Sequence, residues 1–415
     1  MTFFLGGEQV PFVKKQIPDF RADSKYEDVD AAIMDFNKDG FHDIYVVSGG
    51  NEYNELDKNL EDRIYINDQS GGFYRLKISL PHLNGSSVAV SDFDGDGYED
   101  FFVGSSNVPG AFGVSPVSFI IKNVNGERLE IVYRDRLGMV SDAEWIDINN
   151  DGKKELIVVG KWMPIHVLAF DGDSTFTEMT SSLGIPDARG LFNCLEAGDI
   201  NGDDKTDLII GNVGLNTALS LGENGNVDLY ISDFDQNSFV DPIVFNNYFG
   251  EQIPFSDKVT LQGQMPSIKK TFSSFEKFTQ FKSIENIRDE DVLMETKYIN
   301  TLSSFILLSN DSGYEKVSLP RECQLSSIND LKWNADQSQL IAVGNENTNS
   351  HALGQTLSYS GAVLAGFDGS EKSFKSYESL NLPFGTISKE IVAMSSDEFM
   401  IINNNDVQYQ VVKKK

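Results

Sequence analysis

One short pattern occurs five times in this chain: an acidic loop followed at once by an apolar strand. The five read DFNKDGFHDIYVV from Asp35, DFDGDGYEDFFVG from Asp92, DINNDGKKELIVVG from Asp147, DINGDDKTDLIIGN from Asp199 and DFDQNSFVDPIVF from Asp233. Oxygen-bearing side chains take loop positions one, three, five and nine, and position six is Gly, or Asp204 in the fourth loop and Ser238 in the fifth. A tight loop at this spacing can wrap a hard cation such as Ca²⁺, which takes about six to eight oxygens. One such loop could be an acidic turn; five in register define a repeating unit.

The candidate ligands follow position by position. They are Asp35, Asn37, Asp39 and Asp43 with the Phe41 carbonyl, and Asp92, Asp94, Asp96 and Asp100 with the Tyr98 carbonyl. In the third and fourth loops they are Asp147, Asn149, Asp151 and Glu155 with the Lys153 carbonyl, then Asp199, Asn201, Asp203 and Asp207 with that of Lys205. The fifth set is Asp233, Asp235, Asn237 and Asp241 with the Phe239 carbonyl. Position twelve carries no Glu and a strand follows where a helix should, so these are not EF-hands. Up to five Ca²⁺ ions are expected, each structural: a catalytic ion needs an open position beside a substrate groove, and no motif marks one.

A second element recurs between the loops, a hairpin with an Asn, Asp or Gly tip. Instances are RIYINDQSGGFYRL from Arg63, SFIIKNVNGERLEIV from Ser118, SFILLSNDSGYEKV from Ser304 and AVLAGFDGSEKSFKS from Ala362. Loop, strand, connection and hairpin recur about every 50–60 residues, a period that suits four-stranded propeller blades. The expectation is an all-β, seven-bladed β-propeller spanning 1–415 as one domain, its ring closed by the N- and C-terminal strands. A sixth loop, LKWNADQSQLIAVG, keeps the strand phase but puts Lys332 at position one and Leu340 at position nine, so its ammonium is expected where an ion would sit. A short helical insertion is expected at about 246–300, where Phe272, Phe275, Phe278 and Phe281 form a stripe and Ser267 is the N-cap.

Composition narrows the partners. With 63 acidic against 34 basic residues the formal charge is −29, which argues against binding a phosphate backbone. Cys194 and Cys323 form neither a metal pattern nor a disulfide framework and read as buried thiols. No apolar run reaches the about 18 residues of a membrane span. The start, MTFFLGGEQVPFVKK, lacks a signal-peptide pattern. The chain is therefore cytoplasmic, or a signal and upstream region are missing; the millimolar Ca²⁺ outside cells favours the second, with an extracellular or cell-surface location.

At these loops the chain resembles the FG-GAP/VCBS repeat family, whose blades carry D-x-[DN]-x-[DN]-G-x-x-[DE], as in the integrin α-subunit propeller. It is most similar to the VCBS-repeat propellers associated with ASPIC/UnbV domains. The stretches that carry this are YVVSGGNEY from Tyr45, RLGMVSDAEW from Arg136, VVGKWMPI from Val158, IIGNVGLN from Ile209 and LQGQMPSIKKTF from Leu261. The resemblance implies a propeller, calcium, an extracytoplasmic setting and a longer multidomain protein, but no reaction.

Loops that follow the acidic-loop strands should emerge together on one face of a propeller. They supply Asn51, Tyr53, Asn107, Trp162, Asn212, Asn216 and Asn345 as candidates to bind a glycan or protein ligand. The leading reading is a calcium-stabilised binding or adhesion propeller. The alternatives are a propeller-type polysaccharide lyase or hydrolase, for which His42, His82, His166 and His351 are the whole histidine supply, and a purely structural spacer.

Overall fold

Each acidic loop bridges two antiparallel strands, and the pairing closes at the same place. Met34 faces Asp43, Ser91 faces Asp100, Gly198 faces Asp207 and Ser232 faces Asp241. The loop lies between the paired residues, so position nine is the first residue of its strand. The structure, a computed structural model, describes residues 3–7, 10–172, 175–222, 225–287, 294–334, 336–347, 354–395, 398–404 and 409–412.

The chain is all-β with a few short helices, built mostly of four-stranded antiparallel sheets, and divides into two compact units. The first comprises Met1–Trp145 and Ala169–Thr177, the second Ile146–Leu168 and Glu178–Lys415. In the first unit, Glu27–Met34, Asp43–Gly49, Arg63–Asn67 and Phe73–Arg75 form one sheet in chain order. Gly85–Ser91, Asp100–Ser105, Ser118–Val124 and Arg128–Asp135 form another. The strands that start at position nine are buried along nearly their whole length, which is why they read as continuous apolar runs rather than alternating ones. Tyr45, Val47, Phe101, Val103 and Phe119 pack together between these sheets. Burying side chains of this size contributes about 1.5–3 kcal/mol each.

The second unit departs from a simple series. Cys194–Gly198 and Asp207–Gly211 are completed by Phe305–Asn310 and Gly313–Ser318, with Leu208 facing Leu307. The Asp233 loop lies in the intervening segment, in a separate sheet ordered Glu251–Pro254, Asp241–Tyr248, Val227–Ser232, Glu295–Ile299. The hairpin from Ser304 thus belongs to the fourth loop's sheet, and the fifth loop is not the next unit in the series. Dividing the chain evenly into seven overlooks this. The inserted sheet has its own core of Phe234, Phe245, Leu261, Met265, Phe272 and Phe281.

The helical segment also differs from expectation. Lys258–Gln264 is capped by Asp257, whose side chain accepts from the Val259 and Thr260 amides. Beyond it, Ile268–Thr271 and Phe275–Phe278 are separate single turns; Ser267 makes no side-chain cap bond, and Ser274 caps the second turn through the Lys277 amide. A serine that bonds the following backbone competes with continuation of a helix. The break rotates Phe275 outward, 67% exposed, while Phe272 and Phe281 are buried. No helix among the described residues is long and apolar enough to cross a membrane.

Candidate functional site

The acidic loops share one hydrogen-bond template. The position-one carboxylate accepts the position-six amide in all five: Gly40 to Asp35 at 3.0 Å, Gly97 to Asp92 at 2.8 Å, Gly152 to Asp147 at 2.9 Å, Asp204 to Asp199 at 2.8 Å and Ser238 to Asp233 at 2.7 Å. Position five in turn accepts the position-seven amide, at 2.8–3.0 Å, for Phe41, Tyr98, Lys153, Lys205 and Phe239. These are Asx-turn bonds, in which an Asp or Asn side chain closes on backbone two or more residues ahead.

Position six needs a positive φ: Gly40, Gly97 and Gly152 stand at 84–86°. Asp204 at 61° and Ser238 at 72° adopt the same left-handed conformation despite their Cβ atoms. That conformation costs a non-glycine residue about 1–2 kcal/mol. Ser238→Gly is therefore expected to raise the stability of the metal-free protein by about 1 kcal/mol, read from its urea midpoint.

Position nine is where the tertiary structure engages the loop. Asp43, Asp100, Glu155, Asp207 and Asp241 are all at most 3% exposed. Asp43 accepts the Phe36 amide (3.1 Å) and, from the third strand of its sheet, that of Asn67 (2.8 Å). Asp207 does the same with Ile200 (3.0 Å) and Ser309 (2.7 Å). Glu155 and Asp241 accept the position-two amides of Ile148 and Phe234. Asp43 and Asp207 therefore tie loop, strand and neighbouring strand together, a role that spacing alone does not reveal.

The second loop breaks the template. Asp100 Oδ1 takes the Asn123 amide at 2.8 Å, but buried Oδ2 has no hydrogen-bond partner. Asp92, Asp94 and Asp100 each offer an oxygen, and these lie within 4.8 Å of one another. Lys122 pairs with Asp94 and with Asp96 at 3.1 Å, and Lys38 lies over the Tyr98 ring at 4.2 Å. Asp233, Asp235 and Asp241 converge equally closely, and Asp235 Oδ1 is also buried without a partner. In the first, third and fourth loops, the position-three amide of Asn37, Asn149 or Asn201 donates to Asp39, Asp151 or Asp203 instead.

All five position-nine carboxyls are pushed up from their ordinary pKa, chiefly by burial and further by other carboxylates of the same loop. For Asp100 the value rises to about 7, with Asp94 and Asp96 adding to the effect of burial.

The sixth loop corrects the expected register. Trp333 pairs with Leu340, so this loop is two residues shorter than the others. Asn334 Oδ1 takes the closing role by accepting the Gln339 amide at 2.9 Å. Lys332 lies on the strand Ile328–Trp333, and its ammonium bonds Glu196 at 3.1 Å rather than filling the loop.

The proposed ligand face separates into two kinds of residue. Asn51 and Asn107 come together: Asn107 Nδ2 donates to Asn51 Oδ1 at 2.9 Å, and Asn84 Nδ2 donates to the same oxygen at 3.0 Å. Asn84, from HLNGSS, completes the triad and was not among the candidates; half-buried Tyr53 stands in the Asn51 connection. Asn216 is exposed and donates to the Leu325 carbonyl at 3.1 Å. By contrast Trp162, Asn212 and Asn345 are 5%, 0% and 2% exposed. Asn212 accepts the Leu191 and Val213 amides and donates to the Thr301 and Ser303 carbonyls; Asn345 donates to the Tyr359 and Thr386 carbonyls. Their amides close connections and are not free to meet a ligand.

His166 Nδ1 lies 2.6 Å from Glu178, and His82 Nε2 lies 3.5 Å from Glu61. His42 is exposed within the first loop, and His351 lies outside the described residues. Cys194 and Cys323 are both buried, with no disulfide between them.

The FG-GAP-like repeat family matches residues 35–103 and 147–210, which take in the loops at Asp35, Asp92, Asp147 and Asp199 but not the inserted one at Asp233. These two stretches are thus similar to FG-GAP-like repeats, and their strands are grouped in antiparallel sheets of mostly four strands, the unit from which β-propellers are built. A search of curated proteins returned no match. Among solved structures, a β-propeller described as "YCF48 bound to D1 peptide" is similar over 99% of this chain and 100% of that one, at 10% identity and a TM-score of 0.35.

Proposed function

We propose that this chain is a calcium-stabilised β-propeller that serves as a recognition scaffold outside the cell or at its surface. The calcium reading is carried by Asp100 Oδ2, a buried carboxylate oxygen with no partner, beside the oxygens of Asp92 and Asp94. Buried polar atoms are nearly always satisfied, and one left without a protein donor among other carboxylates calls for a cation. Four carboxylates at positions one, three, five and nine face two ammonium groups, Lys122 and Lys38, so the second loop keeps net negative charge. Asp92, Asp94, Asp96 and Asp100 with the Tyr98 carbonyl would hold the ion there; Asp233, Asp235, Asn237 and Asp241 with the Phe239 carbonyl would hold one in the inserted sheet.

A divalent ion would supply charge neutralisation and would pin the turn that leads into a buried strand. A bound cation would also favour the ionised form of the position-nine carboxyls, which burial and repulsion oppose. Recognition of a glycan or polar peptide is the second part of the reading, supported by the repeat family and by the Asn51–Asn84–Asn107 triad beside Tyr53.

The test is isothermal titration of Ca²⁺ into EDTA-stripped protein. Saturable binding is expected, reduced by about one ion per chain in Asp92→Asn/Asp94→Asn. A flat titration at millimolar Ca²⁺ would sink the reading.

A further inference from the structure

The second unit contains a cavity of about 470 Å³ between the third and fourth acidic loops and the hairpin tip Asn310–Gly313. We infer that this cavity is a binding site for a neutral pyranose. The inference goes beyond the recognition role proposed above: this is a second site, separate from the Asn51–Asn84–Asn107 triad, at the acidic-loop end of the strands of the second unit. Asn212, by contrast, lies at the far end of the strand that Asp207 begins.

Four observations converge on this assignment. The volume falls within the about 300–1,000 Å³ of ordinary small-molecule pockets. The polar lining consists of neutral amides and hydroxyls: Asn149, Asn150, Ser182, Ser309, Asn310 and Ser312. Groups that both donate and accept match the hydroxyls of a sugar. Leu183 and the Tyr314 ring add an apolar wall for its C–H face. The charged members, Lys205 and Asp311, pair with each other at 2.6 Å, so the lining has no net charge to select an ion.

The third observation is the Ser309 hydroxyl. Ser309 is 7% exposed, and its amide is committed to Asp207. Its Oγ lies close enough to that carboxylate to lower the acid's pKa, yet outside hydrogen-bond geometry, and has no partner. A buried hydroxyl lining a cavity without a partner is an unmet site for a ligand group.

The cavity is also held open in advance. Tyr314 Oη donates to the Thr206 carbonyl at 3.0 Å, and Asn150 Nδ2 donates to the Asp204 carbonyl at 2.8 Å, joining the third and fourth loops to the hairpin. Gly184 and Gly313 meet backbone to backbone, so that a Cβ on either would come within 2.9 Å of the other's Cα. A preformed site loses less on binding than one that must be ordered.

Glucose, galactose, mannose and N-acetylglucosamine are to be titrated against the full chain by saturation-transfer NMR, with glycerol and glucuronate as comparators. At least one neutral pyranose is expected to saturate in the millimolar range, and glycerol is not. Ser182→Trp, which fills the cavity from an exposed position, and Asn310→Ala, which removes one lining amide, are each expected to weaken binding at least tenfold. Tyr74→Ala, at an exposed position of the first unit, is expected to leave it unchanged. Absence of saturation by all four sugars, wild-type binding by both cavity variants, or tighter binding of glucuronate than of any neutral sugar would overturn the assignment. Running the series with Ca²⁺ and with EDTA separates the two readings. Calcium stabilisation without sugar binding removes this site alone, whereas sugar binding without calcium stabilisation removes the calcium reading and leaves the site.

Discussion

Adding Ca²⁺ at about one hundred times its dissociation constant to the EDTA-stripped protein is expected to raise the unfolding midpoint of each unit by roughly 5–10 °C. One site saturated to that degree contributes about 2.7 kcal/mol, and a domain of this size gains about 2–4 °C per kcal/mol. Among the described residues, each unit holds one loop in which three carboxylates converge, Asp92, Asp94 and Asp100 in the first and Asp233, Asp235 and Asp241 in the second. The gain comes from relieving repulsion that the folded chain otherwise bears, because folding draws these oxygens within 4.8 Å of one another. Mg²⁺ should do less, since it holds its water and demands a tighter octahedral shell. Differential scanning calorimetry measures this directly, and two midpoints that do not move with Ca²⁺ would refute both sites. Asp92→Asn should lower the gain of the first unit only.

Asp207→Ala is expected to cost about 3–5 kcal/mol in EDTA, where no ion contributes. Asp207 is fully buried and accepts two amides, Ile200 from its own loop and Ser309 from a strand about a hundred residues later. Truncation leaves two buried N–H groups unsatisfied, each worth about 1–3 kcal/mol. Asp207→Asn should cost less, because it keeps an oxygen acceptor and removes a charge that burial already disfavours. Asp203→Ala, on the exposed part of the same loop, should cost under about 1 kcal/mol in EDTA. Urea unfolding at constant slope separates the three. Equal losses for Asp203→Ala and Asp207→Ala would mean that the loop acts only as a charge cluster.

The loops were legible in the sequence because their bonds are local. Asp35 to Gly40 and Asp39 to Phe41 are contacts within a few residues, so spacing suffices to specify them. The buried strands were legible too, as continuous apolar runs after position nine. The candidate ligand face was less so: Asn51 and Asn107 meet, but their partner Asn84 lies in a separate connection and carries only an Asn-Gly turn signal. Asn212 and Asn345 have the residue type that a polar site uses, yet the same amides serve to close connections, and only burial distinguishes the two uses. Ser309 is not legible in sequence, because a lone serine in a strand has no motif.

The sequence by itself determined the turn chemistry, the strand phase and the acidic character of five loops, all set by interactions that span at most nine residues. The tertiary structure alone decided which strands share a sheet. Asp207–Gly211 pairs with Phe305–Asn310 across an intervening sheet that carries the Asp233 loop, so an evenly spaced repeat became a series with an insertion. It also set the sixth loop two residues short and sent Lys332 to Glu196. The physical reason is that a strand's edge bonds can be satisfied by any compatible strand, near or far in sequence, and the choice is made by burial of the whole sheet rather than by any local spacing.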